Sequence, residues 1–500
     1  MNKNSHHDHA FVVGIHDGII TGQTQAVVGL YEQVNVPLED GERKKAIRKI
    51  RGEIIRVSGH EFWARMFEDC KDIKVGQSIE LTHMPIMLNP NSSMLGQVLD
   101  AFLTPYEILL NSHGPYVKRG TLPINTNEAI QTPLRTTERH VPNYAVNNVF
   151  FLRNAIVDAL YPLVEGGSLC VTGSKHRLRQ AINTMLEQQP TIDVFVFALC
   201  GVSTKEAMAF IEYLKQTSHD GAQTSLFDCS VVIVSTASMA SSMQDLSVLS
   251  AIKAAEYFQN LGQRVLLMVD DLSHWMNTFA TDNSCLETRL AHFFSRAGIK
   301  NLALNMSHES GSLTILTTCE SMSDEVFTLV SPHVGCVLSF DEQGRLDPRI
   351  SRSIYDTTRL ITQDAQEALA HNKTAEAIKR ILIHGAELEQ LVSLMPEDDL
   401  SMEDYQSLLQ ARLVHNLVTN NKFYGSMSSL ALARVVKLLA IIINHQFQAL
   451  SKHDVAAVFS TASDLIEKVL GSEKEPDFLV TQTKLSSMLT HGAKSFGVFT

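Results

Sequence analysis

The string "GSKHRLRQ", residues 173–180, follows a short apolar run, "GSLCV", and precedes a helical pattern, "AINTMLEQQ". A strand, a glycine turn and a helix start form a setting in which backbone N–H groups converge on an anion. The pattern G-x-x-x-x-G-K-[ST] exploits it: glycines let the chain curl around phosphates, a lysine adds a point charge, and a hydroxyl holds magnesium. Here Gly173 takes the first glycine position, while Leu178, Arg179 and Gln180 take the second glycine, lysine and hydroxyl positions. Leu178 carries a Cβ where a wide choice of φ and ψ is needed. Arg179 keeps the charge but is longer and planar, and Gln180 offers an amide oxygen in place of a hydroxyl. Lys175, His176, Arg177 and Arg179 still gather positive charge at a helix start, where an anion is favoured. The residues read either as a weakened phosphate loop or as a basic, solvent-facing turn.

The elements around this string set its context. Residues 146 to about 345 alternate strand-like runs ("SLCVTG", "DVFVFALCG", "SVVIVSTAS", "RVLLMVDD", "SLTILTTCE", "HVGCVLSF") with helical ones ("STKEAMAFIEYLKQ", "QDLSVLSAIKAAEYFQNLG", "SCLETRLAHFFSRAG"). Near-continuous apolar strands separated by helices predict a parallel sheet covered on both faces. Residues 1–110 hold short β-branched runs bounded by Gly, Asp, Asn or Pro, which predicts a small barrel or sandwich; "SSMLGQVLDAFLTPYE" closes it with a helical turn. Residues 111–145 carry four prolines and two glycines and few periodic runs, and read as an extended linker. From 356 to 500 helical periodicity dominates, with Ser401 and Asp404 spaced as a helix cap. The expected architecture is therefore multi-domain α/β: barrel at 1–110, linker at 111–145, sheet domain at 146–355 and helical domain at 356–500.

Composition narrows the function classes. At 500 residues the chain is long enough for several cores, and 44% hydrophobic with 19% charged residues describes a packed protein rather than a disordered one. A net charge of −12 argues against broad electrostatic binding to nucleic acid or anionic lipid. The seven cysteines include no C-x-x-C pair and sit mostly in apolar runs, which suits buried reduced thiols. "MNKNSHHDHA" has no apolar core of a secretory signal. "LALARVVKLLAIIINH" is too short, and too charged at Arg434 and Lys437, to span a bilayer.

The three-part order, together with several strings, resembles the α and β subunits of rotary ATP synthases. "AIKAAEYFQNLGQRVLLMVDDLSHW" is similar to the family's A-E-Y-F helix end, glycine and Walker B strand, and Asp270-Asp271-Leu272-Ser273 is closer to α than to β subunits. "SVVIVSTAS", "GSLTILTTCE", "SMLGQVLDAFLTPYE" and "ELEQLVSL" resemble further family segments, in the family's order, over roughly residues 10–440. The whole resembles a divergent α subunit of an F-type ATP synthase with an altered phosphate loop.

That resemblance implies a RecA-like central domain in a non-catalytic, regulatory or structural subunit. Such a subunit alternates in a ring with catalytic β-type subunits, meets central and peripheral stalks, and supports ATP synthesis or hydrolysis by its neighbours. The complex would couple to proton transport from the cytoplasmic side of an energy-coupling membrane, touching it only through other subunits; no nucleic acid is implied. The implied ligand is ATP or ADP with magnesium, its binding weakened or lost with the loop, and its residues would be Gly173, Lys175, Arg179 and Gln180, with Asp270 toward the metal. Catalytic subunits carry a glutamate in a G-E-R string that orients water; here Val202 and Ser203 stand at those positions, and Glu206, one helical turn on, faces solvent. An alternative role for Asp270, as a strand-end aspartate, is to cap the following turn, "LSHW". The family's trans-acting arginine falls nearest Arg359 in "YDTTRL", with Arg352 in "RISRS" as rival; surface ion pairing is the plainer role for both. The family's proline- and glycine-rich loop near the shaft is replaced by "TDNSCL". Other readings are an active ATPase of the secretion or flagellar-export type, or a pseudo-ATPase scaffold without nucleotide. The isolated chain is expected to lack ATPase activity.

Overall fold

The computed structural model describes residues 9–39, 46–106, 132–133, 148–152, 154–174, 183, 186, 191–218, 224–278, 283–301, 310–320, 324–342, 344–361, 364–419, 429–443, 451–470 and 475–491. The chain divides into two compact units, residues 1–143 with 188–317, and residues 144–187 with 318–500.

The first unit begins with a closed barrel of six antiparallel strands: β1 His9–His16, β2 Ile19–Thr24, β3 Glu32–Glu39, β4 Ala46–Ser58, β5 Glu61–Met66 and β6 Ser78–Pro85, in the order β1-β2-β5-β4-β3-β6. Alternate residues turn inward, so Ala10, Val12, Ile20, Val34, Val36, Ile50, Ile54, Phe62, Ala64 and Ile79 form its core. Beyond it, Gln97–Leu99 is strand β7, fully buried and paired in parallel with a strand far along the chain. The sequence suggested a helical turn closing the barrel here. A 3-10 turn does form at Ser92–Met94, but residues 97–99 join the central sheet instead. Burial of Val98 and Leu99 against that sheet outweighs the local preference.

The expected parallel sheet is present. After β8 (Ser168–Thr172) come β9 Val194–Val202, β10 Ser230–Thr236, β11 Arg264–Asp270, β12 Gly298–Asn301, β13 Ser310–Cys319, β14 Cys336–Ser339 and β15 Arg352–Ser353. In the first unit β13, β11, β9, β10 and β7 lie side by side and parallel, with β12 antiparallel on β13. Every residue of β10 is buried, as a sheet covered on both faces requires. Helix α1 (Ala155–Leu160) precedes β8. Helices α2 (Thr204–Gln216), α3 (Ser241–Asn260), α4 (Leu272–Asn277) and α5 (Asn283–Phe294) follow β9, β10 and β11.

In the second unit β8 pairs in parallel with β14, and β15 runs antiparallel on β14. Helices α6 (Asp324–Val330), α7 (Thr358–Ile361), α8 (Ala365–Val392), α9 (Met402–Thr419), α10 (Ser429–Ile443), α11 (Lys452–Leu470) and α12 (Glu475–His491) make up the rest. The Ser401 hydroxyl accepts the Asp404 N–H at 3.1 Å and donates to its carboxylate, the cap its spacing predicted. Among the described residues no helix is long and apolar enough to cross a membrane.

Candidate functional site

On the phosphate-loop side, in the second unit, β8 ends at Thr172, whose carbonyl accepts the Phe340 N–H at 2.9 Å. The next residue is Gly173, and a Cβ there would lie 2.8 Å from the Phe340 carbonyl oxygen. Close passage of two backbones therefore calls for glycine at 173 without reference to any ligand. Lys175, Arg179 and Gln180, and with them Leu178, lie outside the described residues.

The first unit holds the ends of β9, β10 and β11. The β9 ladder to β10 is bulged between Cys200 and Val202, and Gly201 has φ +68°. A Cβ at 201 would fall 1.9 Å from the Nε2 of His274, so the imidazole occupies the space directly over this glycine. Val202, at the position the resemblance gives to a water-orienting glutamate, is 5% exposed, and its carbonyl accepts the Ala237 N–H. It has no group that could take a proton or polarise water. Glu206 is half-buried rather than fully solvent-facing, and its carboxylate accepts from the N–H and hydroxyl of Ser203, both at 2.9 Å, in a capping box at the start of α2.

Asp270 ends β11, opposite Leu199. The capping role falls to its neighbour: Asp271 has φ +62°, and its carboxylate accepts from the His274 N–H at 3.2 Å and from the Ser273 hydroxyl at the start of α4. A short side chain that bonds locally suits this left-handed position. His274 Nε2 lies 2.6 Å from Gln244 Oε1. The Gln244 amide nitrogen donates to the carbonyls of Thr236 and Met239, which fixes the amide orientation and makes His274 Nε2 the donor. Asp270 is the carboxylate that the resemblance turns toward a magnesium ion. That ion takes near-octahedral oxygen coordination, usually with substrate phosphates completing the set. The described residues do not provide such a set by themselves. Among the described residues there is no group of three His, Cys, Asp or Glu side chains placed to hold a metal.

Cys200 is buried, and burial pushes its thiol up to about 12; Cys336, in the second unit, is likewise pushed to about 12 by burial. Both are core residues rather than nucleophiles. Arg352 lies on β15, where its guanidinium donates to the Ser331 carbonyl and sits 5.5 Å from the centre of the Phe327 ring. It is thus held by a carbonyl and an aromatic face of its own unit, not by the carboxylate its surface position suggested. Arg359 falls within α7, and its side chain is outside the described residues.

One group has no counterpart in the sequence reading. Asp245, near the N-terminus of α3, is fully buried. Its carboxylate accepts from Arg65 at 2.6 Å, from Arg289 at 3.0 Å and from the Trp275 indole at 3.1 Å. Arg65 is 180 positions away and Arg289 is 44, so no local spacing could reveal the cluster. The visible signal was an acidic residue near the start of the mostly apolar or small helical string "QDLSVLSAIKAAEYF".

The second unit also encloses a cavity of about 310 Å³ between the 341–349 segment and helices α8 and α9, lined among others by Arg345, Asp347, Glu389 and His415. Burial, followed by the Arg345 charge, holds the His415 imidazole below its ordinary range.

Comparison with known proteins places these features. The model of the ATP synthase alpha/beta family nucleotide-binding domain matches residues 154–340. A V-type ATP synthase alpha chain from Borrelia garinii subsp. bavariensis is 21% identical over 511 residues, covering 84% of this chain and 87% of that one. Alpha chain 1 of the V-type ATP synthase of Treponema pallidum is 22% identical over 510 residues, covering 82% and 85%. The corresponding Treponema denticola chain is 20% identical over 547 residues, covering 90% of each. These relatives carry the V-type name, where the sequence strings pointed to the F-type; the alpha-type assignment is common to both. Residues 154–340 thus match the nucleotide-binding domain of the ATP synthase alpha/beta family, and the chain as a whole is similar, at low identity, to alpha-type ATP synthase subunits.

Proposed function

We propose that this chain is a non-catalytic, structural and regulatory alpha-type subunit of an ATP synthase or ATPase head. The observation that carries this reading is the end of β9, where Val202 replaces a water-orienting carboxylate and the His274 imidazole fills the space over Gly201. Hydrolysis needs a nucleophilic water held in line with the γ-phosphate, and neither residue supplies that. The chain would act in a hetero-oligomeric ring, supporting ATP turnover on catalytic beta-type neighbours, with stalk subunits joining the ring to a proton-conducting membrane sector on the cytoplasmic face. Arg359 is the candidate for a cation offered to a neighbour's site, since Arg352 is engaged with Ser331 and Phe327. ATP or ADP would bind weakly or not at all.

A pseudo-ATPase scaffold is the second reading. It is favoured by Gly173, whose glycine is accounted for by the Phe340 carbonyl alone. The deciding experiment is ATP turnover by the purified full chain, with and without the proteins that co-purify with it. We expect none from the chain alone. Turnover that tracks the chain through every column would overturn both readings in favour of an active ATPase. Co-purification of a chain bearing an intact G-x-x-x-x-G-K-T and G-E-R favours the ring subunit over the scaffold.

A further inference from the structure

Helix α3 is buried on nearly every side, and its buried polar side chains have partners. Near its N-terminus those partners fall into two groups. Toward the barrel, the Ser242 hydroxyl donates to the Met66 carbonyl, and the Asp245 carboxylate accepts from Arg65 at 2.6 Å. Arg65 and Met66 are consecutive residues of β5. Toward the ends of the sheet strands, Gln244 bonds His274 at 2.6 Å and Asp245 bonds the Trp275 indole at 3.1 Å. His274 and Trp275 are consecutive residues of α4, the short helix that starts at Asp271, next to Asp270.

We propose that Asp245 is a positioning residue that ties the barrel to α4, so that the placement of β5 sets the placement of the Asp271–Trp275 segment beside Asp270. A carboxylate suits the task. It accepts several charge-assisted bonds at once, and its full burial makes leaving any partner unpaired costly. Arg289 of α5 completes the node at 3.0 Å and fixes α5 to the same point. Two adjacent rungs on each side resist rotation as well as separation, which a single contact would not. Helix α4 has six residues, too few to hold its own shape in isolation. Its geometry is therefore set by what it docks on, and here that is the N-terminal part of α3. A displacement of β5 passes through Arg65 and Met66 to α3, and through Gln244 and Asp245 to α4.

The test is hydrogen–deuterium exchange of the full chain, read peptide by peptide. Arg65→Gln is expected to speed exchange of the α4 amides, residues 272–277, by about tenfold through local opening, and to leave β10 unchanged. Asp245→Asn is expected to do the same, and adding Arg65→Gln to it should do nothing more, because both act through one node. Lys49→Gln, which breaks an exposed pair with Glu80 elsewhere on the barrel, should leave α4 at its original rate. Unchanged α4 exchange in Arg65→Gln overturns the proposal. So does a uniform rise across α4 and β10 alike, which would mean simple loss of stability, or independent effects of the two substitutions. Ser242→Ala, which loosens only the Met66 link, provides a milder version if Asp245→Asn does not fold. None of these outcomes bears on ATP turnover, so this inference and the proposed function fail separately.

Discussion

The N-terminal part of α3 and the ends of β9 and β11 belong to the same compact unit, yet they are furnished in opposite ways. Around Asp245, two arginines, an indole and neighbouring hydroxyls are matched donor to acceptor over long stretches of chain. A few residues away, where the family's chemistry would need a carboxylate, stand a buried valine, a bulged glycine and an imidazole bonded to an amide. Buried charge is expensive unless fully paired, so the first region is a framework that requires its exact partners to remain folded. The second is a surface from which the reactive group can be missing while the fold is undisturbed. The contrast teaches that a nucleotide-type scaffold and its catalytic chemistry rest on separable sets of side chains.

The largest effect is expected where the framework is cut. Asp245→Ala leaves Arg65 and Arg289 facing each other without their carboxylate and should cost about 3–5 kcal/mol, measurable by denaturant unfolding. A cost below about 1 kcal/mol, the scale of a surface pair, would break the contrast by showing the node to be dispensable.

Gly201→Ala comes next. It combines a left-handed backbone with a Cβ driven into His274, and should cost about 2–4 kcal/mol. Adding His274→Ala should recover the overlap part but not the backbone part. Full recovery would show that φ +68° carries no strain.

Acid should weaken the second unit. Burial lowers the His371 imidazole below 6.5, although a bond to the Ala159 carbonyl opposes it. His415 is lowered by burial and by Arg345, against the pull of Asp341, Glu389 and Asp347. Between the folded values and 6.5 the unfolded chain binds more protons. Stability is therefore complete above that window and is lost as pH falls through it. A thermal midpoint that drops on acidification through this range, with a shallower slope in His415→Gln, is the expected result. A midpoint indifferent to pH there would contradict it.

The smallest effect concerns Arg352. Arg352→Ala should cost about 1 kcal/mol for the lost carbonyl bond and ring contact and leave the turnover of an assembled complex little changed. A fall of about a thousandfold, the scale of a trans-acting arginine, would move that role from Arg359 to Arg352.

Much of the fold was legible because its signals are local. The barrel strands and the parallel sheet announce themselves as β-branched and apolar runs, and the Ser401 cap as a spacing of three. The Val202 substitution was equally plain once the neighbouring strings gave its place. Residues 97–99 were misread because three residues carry no period, and burial against a distant strand decides their state. Asp245 was invisible for a related reason: its meaning lies in residues far away in sequence. His274 could be placed next to the Asp270-Asp271 pair, but its position over Gly201 depends on a bulge and a positive φ that no sequence pattern displays.

The closed barrel has a bearing on how such a chain waits for its partners. Its outer face exposes Phe11, Val13 and Ile15 along β1, an apolar stripe that favours association. Closure nevertheless leaves no strand with an unpaired backbone edge, so the barrel cannot recruit further copies by adding strands. In a cell that makes subunits at unequal rates, the barrel of an unassembled surplus chain would stay clear of edge-to-edge fibre growth.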